Sequence, residues 1–231
     1  MGLGQIYWKE VIHTLRNIIP IYDRVNKIIS LGKDRTFRRI GIREGIVPGN
    51  FVLDAGSGFG NMSQLTLDEF DNQVSIIMYD PIFEMLKKSK ENFGFYNIEQ
   101  SSGIFEFLPF KDNIFDVVMC GYSMRDSINL EKAISEMQRI LKKDGRLIIV
   151  DLGKPDNRIV RGGVSFYLKY VLGIMAFMVA GKDGFRFNTI YGTFKKWPQN
   201  RKLDKLLSKK FSRITFVKKF LGAAIIVVAY K

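Results

Sequence analysis

Residues 51–60, FVLDAGSGFG, constrain this chain more than any other stretch. An apolar run ends in an acid, and glycines follow at 56, 58 and 60. That is a buried strand, Phe51–Asp54, turning sharply into a helix over Asn61–Phe70. The rhythm then repeats. Val74–Tyr79 reads as a strand, Pro81–Asn92 as a helix and Ile98–Gln100 as a short strand. Phe115–Cys120 follows as a strand, Asn129–Lys142 as a helix, and Arg146–Leu152 as a strand after the Asp144-Gly145 turn. Strands alternating with helices predict a mostly parallel sheet covered on both faces.

Two regions depart from the alternation. Upstream, apolar positions at helical spacing mark helices over 5–19 and 22–30, separated by Pro20 and ended by Gly32, with a third from about Asp34 to Glu44. Downstream, Gly162–Gly181 is strongly apolar, uninterrupted from Val171 to Ala180, with Lys169 just before that run. The run is too short to span a bilayer and predicts a buried or interfacial helix. Arg213–Phe220 and Ala223–Tyr230, joined at Gly222, predict an antiparallel pair of strands at the sheet edge.

The loop after the first strand selects its ligand. A dinucleotide fold wants G-x-G-x-x-G so that a pyrophosphate rests on a helix N-terminus. Here the third glycine comes one residue early, and Asp54 stands where it would repel phosphates. The same carboxylate suits a cation. S-adenosylmethionine carries an ammonium and a sulfonium and no phosphate, and its own carboxylate is expected at the helix N-terminus after Gly60. Glycines let such a ligand touch backbone. Asp80 ends the next apolar run, SIIMYDP, one strand–helix–strand unit later, where its carboxylate can accept both hydrogen bonds of an adenosine ribose diol. The competing role for Asp80 is a helix N-cap before Pro81.

Charge and rare residues bound the rest. Net charge is +13, segregated along the chain: residues 51–153 carry 10 Lys/Arg against 16 Asp/Glu, and residues 154–231 carry 17 against 3. Such segregation points to an anionic partner: a membrane surface, nucleic acid or an acidic substrate. The single cysteine, Cys120, excludes an internal disulfide framework and fits a reducing compartment. It is expected to pack at the end of the fourth strand. The single histidine, His13, leaves no histidine-based metal site and no Ser-His triad, so no metal is expected. No secretory signal is legible, because Lys9, Glu10 and Arg16 interrupt the first apolar stretch. A cytoplasmic location, peripheral on the inner face of the membrane, is the expectation.

Four segments in order carry a family likeness: YDRVNKIISLGKDRTFRR (22–39), VLDAGSGFGN (52–61), LPFKDNIFDVV (108–118) and MRDSINLEKAISEMQRILKKDGRLIIVDLGKP (124–155), with the tail FLGAAIIVVAYK. Together they resemble the ubiquinone/menaquinone biosynthesis C-methyltransferases. The resemblance implies a class I methyltransferase: a Rossmann-like α/β three-layer sandwich with a mostly parallel seven-stranded sheet, its last strand antiparallel. It implies an N-terminal helical cap over 1–46, then the catalytic domain over 47–231 with a helical lid insertion at about 156–200. It places Asp54, Gly56 and Gly58 at the cofactor's methionine part, Asp80 at the ribose, Ile104 and Phe105 near the adenine, and Gly121 at the cofactor after strand four. Ser57 and Pro81 complete that set, and Tyr22 closes over it. Three residues depart from the family pattern: Phe59 stands where Thr is usual, Ile104 where a polar residue faces the adenine, and Asp126 where Asn follows Arg.

Carbon is a poor nucleophile, so an aromatic acceptor must be made electron-rich, which deprotonating a quinol hydroxyl does. Arg125 can stabilise a phenolate or hold a water but cannot act as a base. Asp126 can take the proton itself, directly or through water. Its competing role is to cap the helix starting near Asn129. The reading is thus S-adenosylmethionine-dependent methylation of a prenylated, lipid-like quinone precursor. The apolar 162–180 stretch and the N-terminal helices are expected as a greasy lid. Lys195–Lys210, with seven basic residues, one acid and Trp197, Leu203, Leu206 and Leu207, is expected to attach to anionic lipid. The alternatives are a methyltransferase acting on RNA or another small molecule, drawn by the positive charge, and a non-catalytic assembly protein that kept the fold. A homo-oligomer is left open.

Overall fold

A computed structural model describes residues 1–19, 32–93, 98–181, 186 and 188–231. The helix expected over 22–30, and with it Tyr22, lies outside the described residues.

Seven strands form one sheet in the order β3-β2-β1-β4-β5-β7-β6. They are β1 (Phe51–Ala55), β2 (Ser75–Tyr79), β3 (Glu99–Ser101), β4 (Phe115–Gly121), β5 (Leu141–Leu152), β6 (Arg213–Lys219) and β7 (Ala224–Tyr230). β1 to β5 pair in parallel. β7 runs antiparallel between β5 and β6. The expected sheet is therefore present, with its last strand reversed.

The layers follow from period two along β4. Val118 and Cys120 enter one core with Leu53, Met137 and Ile149, while Val117 and Met119 enter the other with Val52, Met78 and Ile148. Both faces of the central strands are dry, so they read as continuous apolar runs. Helices α1 (Gln5–Asn17) and α2 (Asp34–Gly45) precede β1, and α3 (Asn61–Glu69), α4 (Phe83–Asn92) and α5 (Leu130–Ile140) connect successive strands.

β5 begins five residues earlier than expected. Leu141 pairs with Phe115 directly after α5, and the register shifts before Val117 meets Arg146. Asp144, at φ 64, makes the turn inside that bulge. The Asp-Gly turn is therefore internal to the strand rather than its start.

α2 lies close on the sheet because it presents glycines there. A methyl at Gly41 would sit 2.9 Å from Val150 Cγ2, and one at Gly45 would sit 2.5 Å from Ile148 Cδ1. This close approach carries Arg38, on the same helix, to the C-terminal tips of the strands, where its Nη1 reaches the Gly121 carbonyl.

The helical insertion lies where the sequence puts it, between β5 and α9 (Asn200–Leu207). It comprises α6 (Arg158–Phe166), a π turn over Tyr167–Val171 and α7 (Leu172–Ala180), followed by α8 (Asn188–Lys196). Residues Arg158–Met178 form one helical stretch of 21 residues containing an 18-residue window of mean hydropathy 1.3, long and apolar enough by length and composition to cross a membrane. The uninterrupted run Val171–Ala180 is short, and α6 extends the helix upstream of it through Gly162 and Gly163. One face of this insertion packs on the protein: Leu168 and Leu172 are buried against Phe194 of α8.

The lipid-facing side expected for Lys195–Lys210 is corrected. Trp197, Leu203 and Leu207 are at most 3 % exposed, in the core that also holds Leu53 and Ile149. In α9 (Asn200–Leu207) the apolar stripe faces inward, leaving a basic face toward solvent.

Candidate active site

Where β1, β2 and β4 end, the chain leaves the sheet over a cleft. Gly56, Gly58, Asp80 and Pro81 line it from the first two strands; Ile104, Phe105, Gly121 and Asp126 line it from beyond β3 and β4. At Gly56 the backbone leaves no room for a side chain. Gly56 has φ 71, and a methyl on it would collide with Ser123 and Phe105.

Asp54 and Ser57 lie beneath the cleft wall, both buried. Asp54 Oδ2 accepts from Ser63 Oγ at 2.7 Å and from Ser63 N at 3.1 Å. Its Oδ1 has no partner, nor has Ser57 Oγ. Burial pushes the Asp54 carboxyl up to about 6. Asp80 is held differently. Its Oδ2 accepts the Gly58 N–H at 2.8 Å and its Oδ1 the Ile82 N–H at 2.7 Å. The carboxylate therefore ties the glycine loop to the β2 tip, and each oxygen keeps a further lone pair toward the cleft. Asp80 is not the N-cap of α4, which starts after Ile82 with no side-chain cap. Burial pushes its carboxyl up to about 6 as well.

Arg125 and Asp126 sit on a single turn, Met124–Asp126, after β4. Arg125 is 9 % exposed, ion-paired with Asp151 at the end of β5, and its Nε donates to Thr193 Oγ1 at 3.3 Å. Asp126 keeps 18 % of its side-chain surface exposed; its Oδ1 is buried, lies 3.9 Å from Arg125 Nε and accepts no hydrogen bond. Burial pushes its carboxyl up to about 7, against the pull of Arg125. The helix-capping role is excluded: Asn129 caps α5, accepting from the Glu131 and Lys132 N–H groups.

Several lining residues carried no sequence signal. Ser123 Oγ donates to the Ala55 carbonyl at 2.9 Å and braces the loop. Trp8, Ile12 and Leu15 of α1 form the outer wall of the cleft. Tyr122 adopts φ 63, a conformation costly for a bulky residue. It borders both the cleft and a second, apolar cavity of about 340 Å³. That cavity is walled by Phe37, Arg38, Arg125, Tyr167, Leu168 and Phe220, among others. Cys120 is fully buried with its thiol pushed up by burial, and His13 is exposed beside Asn17; neither lines the cleft.

The residues present fit one kind of nucleoside. The carboxylate oxygens of Asp54 and Asp126 that accept no hydrogen bond among the described residues favour a positively charged ligand and oppose a phosphate. Residues 4–231 match the description of the ubiE/COQ5 methyltransferase family. The chain belongs to that family. Its cofactor is S-adenosylmethionine and it is a methyltransferase. Among ubiE/COQ5 relatives, the demethylmenaquinone methyltransferase of Bacteroides fragilis is 28% identical, over 96% of this chain and 93% of that protein. The ubiquinone/menaquinone biosynthesis C-methyltransferase UbiE of Pseudoalteromonas translucida is 29% identical, over 86% of this chain and 80% of that protein. In fold, the chain is similar to a SAM-dependent methyltransferase of Thermotoga maritima at TM-score 0.63 and 16% identity, covering 96% of this chain and 99% of that one. Another from Aquifex aeolicus matches at TM-score 0.61 and 16% identity, over 90% and 96%.

Proposed function

We propose that this ubiE/COQ5 protein methylates a ring carbon of a prenylated quinol that enters from a membrane surface. The observation that carries the reading is the adjacency of two spaces: neighbouring residues open on different ones, Asp126 on the cofactor cleft and Arg125 on the apolar cavity, with Tyr122 bordering both. A cavity of about 340 Å³ with mostly apolar walls is the size of an ordinary small-molecule site. It favours a hydrophobic ring over a nucleotide, and so a lipid acceptor over RNA. In the proposed set, Asp54, Gly56, Ser57 and Gly58 hold the methionine part, Asp80 and Pro81 the ribose, and Ile104 and Phe105 flank the adenine, with Gly121 beside the cofactor. Tyr22 keeps its proposed role as a closing residue.

When bound, S-adenosylmethionine supplies a methyl group on a sulfonium centre. The chain's own residues prepare the acceptor. Asp126, with a carboxyl near 7, takes the proton from the quinol hydroxyl, and the freed electron pair enriches the ring carbon. Arg125, fixed by Asp151 and Thr193, presents its charge to the phenolate that results.

The insertion supplies the route from the membrane. Tyr167 and Leu168 face the cavity, while Ile159, Phe166, Tyr170, Ile174 and Met178 are at least 50 % exposed on the outside. Since Leu168 and Leu172 are packed on Phe194, the helix lies on the leaflet with the protein rather than crossing it. The tip between β6 and β7 adds Phe220, which lines the cavity, and Leu221, 83 % exposed beside Lys218 and Lys219. Each basic residue near an anionic leaflet adds about 1 kcal/mol.

Incubating the protein with methyl-labelled cofactor and a reduced membrane lipid extract tests the reading. Label on the ring carbon of a prenylated quinol supports it; label on another lipid, on an oxygen, or only on RNA added in parallel rejects it.

A further inference from the structure

One short helix, α8, touches the apolar cavity, the turn bearing Arg125 and Asp126, and the helix that walls the cofactor cleft. Ile190 lines the cavity. Thr193, 2 % exposed, donates its hydroxyl to the Ile190 carbonyl at 3.1 Å and accepts from Arg125 Nε at 3.3 Å, so that hydroxyl is used in both directions. Phe194 packs on Leu168 and Leu172 of the insertion. The same helix meets α1. Tyr7 Oη donates to the Thr189 carbonyl at 3.4 Å, and Lys196 Nζ donates to the Leu3 carbonyl at 3.1 Å while lying 5.3 Å from the Tyr7 ring centroid. Gly192 makes the room: a methyl there would collide with the Tyr7 hydroxyl. Thr189 and Thr193 stand one helical turn apart, so a shift of α8 that breaks the contact to Arg125 also unseats Tyr7.

α1 is tied to the reacting turn as well. Residues 1–4 run beside the segment after Asp126: the Leu3 N–H donates to the Ser127 carbonyl at 2.9 Å, the Gly4 N–H to the Ile128 carbonyl at 3.0 Å, and the Leu130 N–H to the Met1 carbonyl at 2.7 Å. From that anchor α1 carries Trp8, Ile12 and Leu15 to the cofactor cleft and Tyr7 to α8. Burial pushes the Tyr7 hydroxyl up and the charge of Asp126 adds to it, so Tyr7 lies within electrostatic reach of that carboxylate. We infer that Tyr7, seated against Gly192, is a positioning residue that couples the two spaces: an acceptor packed on Ile190 fixes α8, and α8 aims Arg125 through Thr193 and holds α1 over the cofactor through Tyr7. Cofactor and acceptor then bind cooperatively, each raising the other's affinity by the same factor. The inference rests on the apolar cavity being the acceptor site. Neither Tyr7 nor Gly192 lies in the segments that carry the family likeness.

Calorimetry on the full chain tests this with S-adenosylhomocysteine and 2,3-dimethyl-1,4-naphthoquinone, a quinone ring whose methylatable carbons are blocked. In wild type the quinone should tighten S-adenosylhomocysteine binding by about fivefold or more, and S-adenosylhomocysteine should tighten quinone binding by the same factor. Gly192→Ala and Tyr7→Ala should each bind either ligand alone within a few-fold of wild type but lose the mutual gain. Adding Tyr7→Phe to Gly192→Ala removes the colliding hydroxyl and should restore part of that gain. Tyr7→Ala carries the test if Gly192→Ala does not fold. Coupling retained in both variants, or an equal loss of affinity for each ligand alone with coupling intact, as a merely structural role gives, would overturn the assignment. Wild type that binds both ligands without coupling rejects this inference alone. Wild type that fails to bind the quinone rejects the acceptor reading and this inference with it.

Discussion

Asp126 Oδ1 is buried 3.9 Å from Arg125 Nε and accepts no hydrogen bond among the described residues, while the Arg125 guanidinium is paired with Asp151. The two side chains are adjacent: Arg125 is fixed in place by Asp151, and the Asp126 carboxylate keeps an acceptor oxygen with no hydrogen-bond donor. An acid kept near pH 7 by burial is suited to accept a proton at neutral pH.

Asp126→Asn should therefore reduce kcat by about 10²–10⁴-fold, the usual worth of a general base. The Kd for S-adenosylhomocysteine should stay within a few-fold of wild type. Because the ionised form accepts the proton, wild-type kcat should fall as pH drops through about 7. Steady-state rates from pH 5 to 9 check both, and a flat profile argues that another base acts.

Cofactor affinity should depend on pH through Asp54 and Asp80. Each is held near 6 without ligand, and a cationic partner lowers that value further. Binding then releases protons below about pH 6, so affinity rises with pH from 5 to 7 and levels above. Calorimetry in buffers of different ionisation enthalpy measures that release. Affinity that falls over the same window contradicts the arrangement.

Asp151→Ala removes the nearer of the two carboxylates paired with the buried Arg125, which costs up to about 3–5 kcal/mol. Thermal unfolding should show a large drop in Tm. Replacing both residues by apolar ones should recover part of it.

Two glycines should behave oppositely. Gly56→Ala adds a methyl where the backbone has φ 71 and Ser123 stands in the way, which costs about 1–3 kcal/mol and abolishes cofactor binding. Gly162→Ala adds one into open space within a helix and should be neutral or stabilise by about 0.4–1 kcal/mol. Denaturant unfolding of the two variants reads the contrast.

Ile159→Asp with Leu221→Asp should weaken binding to vesicles containing phosphatidylglycerol and leave Tm unchanged, since these side chains are 85% and 83% exposed. Co-sedimentation at low and high salt measures it. Unaltered binding would move the lipid contact to another surface.

The sheet was legible because its strands are apolar runs bounded by turn residues, and the two acids at the strand tips, Asp54 and Asp80, because each ends such a run. Asp54, Gly56, Asp80 and Gly121 all come to one place for that reason. Arg38 and Tyr122 were not legible as site residues. Arg38 reaches the strand tips only because Gly41 and Gly45 let α2 settle on β5, a packing event between segments about a hundred residues apart. Tyr122 matters through a backbone angle that its residue type disfavours. Trp197, Leu203 and Leu207 misled for the opposite reason: an amphipathic pattern with basic residues looks the same whether its apolar stripe meets lipid or core.

A crystal structure with S-adenosylhomocysteine bound should show the ribose diol against Asp80, the ammonium within hydrogen-bond distance of Asp54 Oδ1, and the sulfur directed past Tyr122 toward the apolar cavity. A nucleoside bound elsewhere, or a sulfur turned away from that cavity, would contradict this arrangement.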